Sequence, residues 1–412
     1  MIRMNSMNVS KSSPDTDNGR STRSWVAPHI ASLPRSGIRD FFELVSQMDD
    51  VISLGIGEPD FVAPWNIREA TIYGLNQGLT HYTSNLGDMK LRRSVCRYFR
   101  RHFGGDYAPE TECIITVGVS EGLDIALRAV LSPGDEVLYH EPCYVSYAPT
   151  VRMAHGVPVP VACRAENDFV VQVEDLEKAV TPRTKVLMLN YPNNPTGAGM
   201  TAADKAAVAE FAVRHDLLVL SDEIYEELSY IPRSPSIATL PGMRERTIVF
   251  NGFSKAYAMT GYRIGYAVGP NELIEAMMKV HQYSMLCAPS ICQYGAIEAL
   301  ENCAADREMM HTEYEQRRNV IVSRFNAMGL HCFTPRGAFY VFPDIRSTGM
   351  TSKEFATSLL QEERVAVIPG TAFGASGEGF VRCSYATAMD VIEEAMSRIR
   401  RFLAKRGIGG NN

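Results

Sequence analysis

Short runs in which nearly every position is apolar recur through the middle of the chain, and most of them stop at glycine, asparagine or a carboxylate. Continuous apolar runs of this length fit strands buried on both faces. The predicted set is 113–117, 136–140, 185–190, 217–221, 247–251 and 263–268. Segments of helical period alternate with them, such as 203–215 and a helix from Gly118 through Leu131. Strand alternating with helix is the rhythm of a mostly parallel sheet sandwiched by helices. From about Asp306 the pattern changes to a charged amphipathic helix reaching Ala327. Shorter apolar runs follow near 338–342, 365–368 and 380–384, with a last helix from Asp390. The reading is an α/β fold, with a large domain over 55–305 and a smaller α+β domain over 306–412.

Composition narrows the function classes. A chain of 412 residues, 45% hydrophobic and 21% charged, has the make-up of a globular enzyme. A net charge of −6 has the wrong sign for a nucleic-acid binder. No apolar run approaches the roughly 18 residues of a membrane span. Nine cysteines, an odd number without paired short spacing, argue against a disulfide framework and a metal site. They fit free thiols in a reducing cytoplasm. Residues 1–24 are rich in Ser, Asn, Asp and Arg and read as a disordered tail. Asp15 and Asp17 speak against a transit peptide there.

The candidate chemistry centres on Lys255 in Asn251-Gly-Phe-Ser-Lys-Ala-Tyr-Ala-Met-Thr-Gly-Tyr-Arg263. Burial disfavours an ammonium ion, and a neutral amine attacks aldehydes. Arg263, eight positions on, is free to clamp a phosphate. The two together suggest pyridoxal phosphate. The bland alternative is a snorkelling surface lysine. The run Leu217–Ser221 ends in Asp222, where open α/β sheets place ligands, and a carboxylate there can pair with a pyridinium nitrogen. Tyr225 follows within reach of the same ring; as an alternative, Asp222 caps the next helix. The run 185–190 leads into Tyr191-Pro-Asn-Asn-Pro-Thr-Gly197, a rigid turn that presents Asn194. The run 113–117 leads into Gly118-Val-Ser-Glu-Gly122, either an anion site at a helix start or a plain turn with Ser120 as N-cap.

In this order and spacing the motifs resemble the class I and II aminotransferases of the fold-type I pyridoxal phosphate enzymes, over roughly residues 25–405. The look is of the aspartate/aromatic branch typical of bacteria and archaea. The resemblance implies a Schiff-base role for Lys255, pairing of Asp222 with the pyridine nitrogen, and Asn194 and Tyr225 as partners of the phenolate. It implies a phosphate cradle of Arg263, Val119 and Ser120, with Tyr144 flat on the cofactor where many relatives have tryptophan. Arg382, in Phe380-Val-Arg-Cys-Ser-Tyr385, matches the arginine that takes the substrate α-carboxylate. Gly57, in Leu54-Gly-Ile-Gly-Glu-Pro-Asp60, resembles the loop glycine that closes over it. Tyr82 resembles the tyrosine that touches the neighbouring subunit's phosphate, which requires a homodimer. By the same resemblance the segment 25–54 packs on the small domain.

Two departures stand out. Gly252 occupies the place of a phosphate-binding serine. The stretch His281–Ser290 has no arginine for a substrate's distal carboxylate, leaving Arg39 and Arg128 as candidates. The implied reaction is ping-pong transfer of an amino group from an L-amino acid, of aspartate or aromatic type, to a 2-oxo acid such as 2-oxoglutarate. Carbon–sulfur β-lyases and aminocyclopropane-carboxylate synthases share these residues and stay open as alternatives. A cofactor-sensing transcription regulator would need a helix-turn-helix module before residue 50, and the tail is too short and polar for one.

Overall fold

The computed structural model describes residues 25–33, 45 and 48–408. Contacts divide the chain into two units, 1–33 and 34–412. In the first, the described residues form one short helical turn, Pro28–Ala31, with proline at its start. The tail expected over 1–24 lies outside the described residues, as does Arg39.

The second unit opens with strand β1 (Ile52–Ser53) and continues through β2 (Cys113–Thr116), β3 (Glu136–Glu141), β4 (Val157–Ala162), β5 (Thr184–Asn190), β6 (Leu218–Asp222), β7 (Thr247–Gly252) and β8 (Gly265–Val268). Strands β2 to β8 form one seven-stranded sheet in the order β2-β8-β7-β6-β5-β3-β4. Its pairings are parallel except those of β8, which runs antiparallel to β7 and β2. The strands therefore read as continuous apolar runs because both faces are covered. On one face Leu220, Ile248 and Phe250 meet the helices Gly118–Val130 and Asn271–Ser284. Alternate residues point the other way. There Leu187, Leu189 and Val219 pack with the helix Ala202–Arg214, and Cys113, Ile115 and Val249 with Met89–Phe103 and Ser290–Asn302.

The remaining strands are short: β9 (Tyr340–Val341), β10 (Val365–Ala366), β11 (Ile368–Pro369) and β12 (Val381–Ser384). Three of them form an antiparallel sheet, β11-β12-β9, while β10 pairs in parallel with β1. The Leu54 N–H bonds the Ala366 carbonyl at 2.9 Å, and its own carbonyl accepts from Ser384 at 2.6 Å. Chain from before residue 55 is thus stitched to the C-terminal strands, and the loop Gly55–Asp60 leaves that junction directly.

The expected strands are present with shifts that have local causes. The run 263–268 becomes a strand only from Gly265, because Arg263 turns left-handed at φ 53°. The run 338–342 shrinks to two residues behind a left-handed Ala338, φ 60°. The run 365–368 splits, since β10 and β11 serve different sheets.

Candidate active site

Parallel strands deliver their C-terminal residues to one edge of the sheet, and here that edge carries the chemistry. Asn190 and Asp222 are register partners at the ends of β5 and β6, next to Phe250 of β7. Asp222 is buried. Its Oδ2 accepts from the Tyr147 hydroxyl at 2.6 Å and its Oδ1 from the Ile224 N–H at 3.2 Å. Burial pushes this carboxyl up to about 6, while those two donors and nearby Lys255 hold it down. No helix starts at Asp222, so the capping alternative falls away: a turn and a single 3-10 turn, Glu226–Leu228, follow instead. Asn190 donates to the Asp222 carbonyl at 3.0 Å and accepts from the Asn194 N–H at 3.1 Å. Its own N–H bonds Nε2 of buried His140, at 3.0 Å. These bonds tie the Tyr191–Gly197 turn to the strand ends and aim Asn194 inward.

Lys255 leaves the chain just after β7, and its Nζ donates to the Gly57 carbonyl at 2.8 Å. The nitrogen lies 6.0 Å from the centre of the Tyr225 ring and 5.8 Å from that of Phe339. Desolvation brings its pKa down to about 8. Glu58 and Asp222 oppose that shift, and Arg382 and Arg263 reinforce it. A lysine that feels Asp222 and both arginines belongs to one site with them. It is not the snorkelling surface residue.

At one end of that site the Arg263 guanidinium lies over Gly118, where a β-carbon would come within 2.7 Å of Nη2. Gly118 itself has φ 73° and opens the helix that carries Val119 and Ser120 in its first turn. A β-carbon on Gly265 would sit 2.7 Å from the Val119 nitrogen, so strand and helix start are in close contact. Free first-turn N–H groups facing a guanidinium make an anion cradle. Ser120 lies inside the helix and does not cap it, because position 117 is the N-cap and has no side-chain cap bond. Gly252 has a structural reason: a β-carbon there would lie 3.0 Å from the Gly265 Cα and 3.1 Å from the Ile264 carbonyl. A serine would not fit without moving β8.

At the other end Arg382 is buried, its guanidinium carbon 4.6 Å from the Tyr340 ring centre and 4.7 Å from that of Phe373. Nη1 donates to Asn194 Oδ1 at 2.9 Å and Nη2 to the Gly55 carbonyl at 2.5 Å. Nε is buried with no partner. With its amide oxygen held by Arg382, Asn194 has only N–H bonds left to offer an acceptor. The loop Gly55–Asp60 closes this end. Glu58 accepts from the Thr260 hydroxyl, and Asp60 takes Arg317 at 2.9 and 3.0 Å. Tyr144 is half-buried, 5.9 Å from the Tyr147 ring in a T-shaped pair, and Arg382 feels its hydroxyl.

Two expected residues lie elsewhere. Tyr82, expected to act at a neighbouring subunit's site, is 81% exposed; Tyr73 and Tyr283 are exposed as well. Arg128 pairs with Asp124 at 2.8 Å one turn back on its own helix, away from Lys255's electrostatic partners. Sequence reasoning missed Tyr147 and Tyr340. Tyr147 was within reach of it, three positions past Tyr144; nothing in the local sequence marks Tyr340. Among the described residues no cluster of His, Cys, Asp and Glu fits a metal ion, and no helix is long and apolar enough to cross a membrane.

Residues 49–399 match the family described as aminotransferase class I and II. The chain is 50% identical to a putative aminotransferase, YugH, of Bacillus subtilis, over 93% of this chain and 99% of that one. It is 47% identical to aromatic-amino-acid aminotransferase 2 of Thermococcus litoralis, over 92% and 99%. Among solved structures, the aspartate aminotransferase of Thermus thermophilus with maleate superposes with a TM-score of 0.87 at 40% identity, covering 92% of this chain and 99% of that one. Fold and relatives agree, and the chain belongs to the class I and II aminotransferases, enzymes that use pyridoxal 5′-phosphate to move amino groups between amino acids and 2-oxo acids.

Proposed function

We propose that Lys255, Asp222 and Tyr225 are the catalytic residues of an aminotransferase acting on L-amino acids of aspartate or aromatic type, with a 2-oxo acid such as 2-oxoglutarate as acceptor. The observation that carries this reading is buried Asp222 at the end of β6, with Lys255 Nζ held on the Gly57 carbonyl beside the Tyr225 and Phe339 rings and its pKa brought down to about 8.

The residues present suit the cofactor. The space over Gly118, bounded by Arg263 and the N–H groups of Val119 and Ser120, suits a phosphate. Lys255 supplies the amine for its aldehyde, and Asp222 a carboxylate for its ring nitrogen. Tyr225 and the Asn194 amide supply hydrogen bonds for its phenolic oxygen, and Tyr144 a ring to lie against it. When bound, pyridoxal phosphate supplies an aldehyde for the amino group and a ring that draws electrons from the substrate's α-carbon. Arg382 receives the substrate α-carboxylate, for which its orphaned Nε and the Nη2 now on the Gly55 carbonyl are the available pair of donors. Gly57 and its loop shut water out above it. Lys255 Nζ then takes the proton from the substrate's α-carbon, and a pKa near neutrality suits it to accept and return protons. Asp222, kept anionic by Tyr147 and Ile224, holds positive charge on the ring nitrogen.

The shared-site role of Tyr82 belongs to a homodimer. Its support is a set of exposed aromatic side chains, Trp65, Tyr73, Tyr82 and Tyr283, of the kind a second copy would cover. We place the enzyme in the cytoplasm, consistent with nine free thiols. We divide the chain into a cofactor domain over 55–305 and a small domain over 306–412, to whose strands Leu54 is bonded. The purified protein, offered a panel of amino donors with 2-oxoglutarate, pyruvate and oxaloacetate, is expected to transfer nitrogen from aspartate or an aromatic amino acid. Borohydride should fix the cofactor on Lys255. Labelling of another lysine, or no transfer from any donor, would refute the assignment.

A further inference from the structure

Tyr340 stands between three parts of the site that the proposed function treats separately. Its hydroxyl is 2.9 Å from that of Tyr225. Its ring forms one wall of Arg382, at 4.6 Å. A β-carbon on Gly57 would come within 2.4 Å of the same hydroxyl, so the closing loop rests on it. The pairing of β9 with β12 explains the arrangement. Tyr340 is opposite Ser384, so Arg382, two residues along, projects from the same face. Phe339 completes a grip on Tyr225. The Tyr225 ring meets Phe339 at 5.5 Å and 89° and Tyr340 at 5.8 Å and 78°, both edge to face.

We propose that Tyr340 is a positioning residue for the transamination, donating its hydroxyl proton to Tyr225 while its ring fixes the plane of Arg382. The direction of donation follows from proton counting. A phenol has one proton to give, so if Tyr225 gives its own to the cofactor's phenolic oxygen, it can only accept from Tyr340. Burial raises the pKa of both phenols, so both protons stay in place at working pH. A donor that itself accepts a hydrogen bond is polarised into a stronger one. Tyr340 thereby links the cofactor's oxygen to the carboxylate clamp through one buried side chain. This inference rests on the proposed role of Tyr225, and its test must separate the two.

The test is a double-mutant cycle in the holoenzyme, read by absorbance titration of the bound cofactor and by its dissociation constant. Tyr225→Phe should move the absorbance midpoint to higher pH, because the phenolic oxygen loses a donor that favours its anion. Tyr340→Phe keeps the ring and removes the bond, and should move the midpoint the same way by a smaller step, roughly half a pH unit. In the Tyr225→Phe background, Tyr340→Phe should add nothing, since no phenol remains to be polarised. Thermal unfolding of Tyr340→Phe should match the parent. Tyr340→Leu, which also removes the wall of Arg382, should raise KM for both substrates roughly tenfold, whereas Tyr340→Phe should leave KM near the parent's. If Tyr225→Phe shifts the midpoint and Tyr340→Phe does not, or shifts it equally in both backgrounds, Tyr340 has no such role. If neither variant shifts it, the assignment of Tyr225 falls, and this inference falls with it.

Discussion

The two ends of the Lys255 site each present an arginine, yet they are built on opposite principles. At one end Arg263 is exposed, and its surroundings are mostly backbone: a left-handed glycine, a helix start and the Thr260 carbonyl, to which Nη1 donates at 3.0 Å. At the other end Arg382 is 3% exposed, lies between two aromatic rings, and spends its donors on Asn194 and Gly55. Burial makes its charge costly, enough to lower the pKa even of a guanidinium. A cradle of backbone amides at the surface has water and neighbouring N–H groups to share the load when one donor is lost. A desolvated clamp has no substitute. The first suits a phosphate that stays bound, and the second a carboxylate that must be told apart from other groups on every turnover.

Lys255 lies between the ends, so its loss should cost most. Lys255→Ala is expected to reduce transamination by roughly 10²–10⁴-fold or more, the share a positioned acid–base group carries. Its cofactor should stay bound through the Arg263 end, which equilibrium dialysis would show. Loss of cofactor together with activity would make the lysine the anchor and the phosphate end secondary.

Arg382 comes next. Arg382→Ala should lower kcat/KM for both donor and acceptor by roughly 10²–10³-fold, because it strips the substrate carboxylate of its proposed partner among buried side chains and leaves Asn194 Oδ1 unpaired as well. Arg382→Lys should rescue little, since one ammonium cannot span two carboxylate oxygens or fill the slot between Tyr340 and Phe373. Steady-state kinetics on the two variants decide it. A lysine variant close to the parent would mean that charge alone matters there and the contrast with Arg263 is lost.

The same division marks what is legible in the sequence. The sheet was readable because strands covered on both faces must be apolar throughout, as in Val186–Leu189 and Val219–Leu220. Strand β4 was not foreseen. Its Val157-Pro-Val-Pro-Val-Ala162 carries two prolines, which a strand tolerates only at an edge, and β4 pairs on one side alone, with β3. That β8 runs antiparallel was equally hidden, since an apolar run carries no sign of its direction. In the site, Lys255, Asp222 and Asn194 stand out because each ends or follows a strand, and Arg263 because it leads into one, where a short motif fixes backbone and side chain together. Tyr147 and Tyr340 reach Asp222 and Tyr225 from 75 and 115 residues away. Contacts set by tertiary packing leave no spacing to read.

Arg263→Gln should then be the milder lesion. We expect the cofactor's dissociation constant to rise roughly tenfold, with substrate KM nearly unchanged. Because this end is open to solvent, the loss should shrink as salt is added. Fluorescence titration of apoenzyme at low and high ionic strength measures both. A salt-independent loss would mean the phosphate end closes up when loaded, and the two ends would then be more alike than their exposure implies.

The finest test uses Lys255 as a reporter on both arginines. Only the neutral amine attacks an aldehyde, so the rate at which apoenzyme takes up cofactor should climb with pH and level off above the pKa of Lys255. Desolvation brings that value down to about 8, so the climb should be centred there instead of near the ordinary 10.5. Removing a nearby positive charge makes the ammonium form easier to keep, and the midpoint must move up in either arginine variant. Of the two arginines, Arg382 depresses the lysine more, in line with the weaker screening of a buried charge. Arg382→Ala should therefore shift the midpoint further than Arg263→Gln. Stopped-flow recombination across pH, run on the parent and both variants, gives three midpoints whose order is fixed in advance: parent lowest, Arg263→Gln between, Arg382→Ala highest. An order with Arg263→Gln highest would place the stronger field at the exposed end, and burial could no longer explain why the two arginines differ.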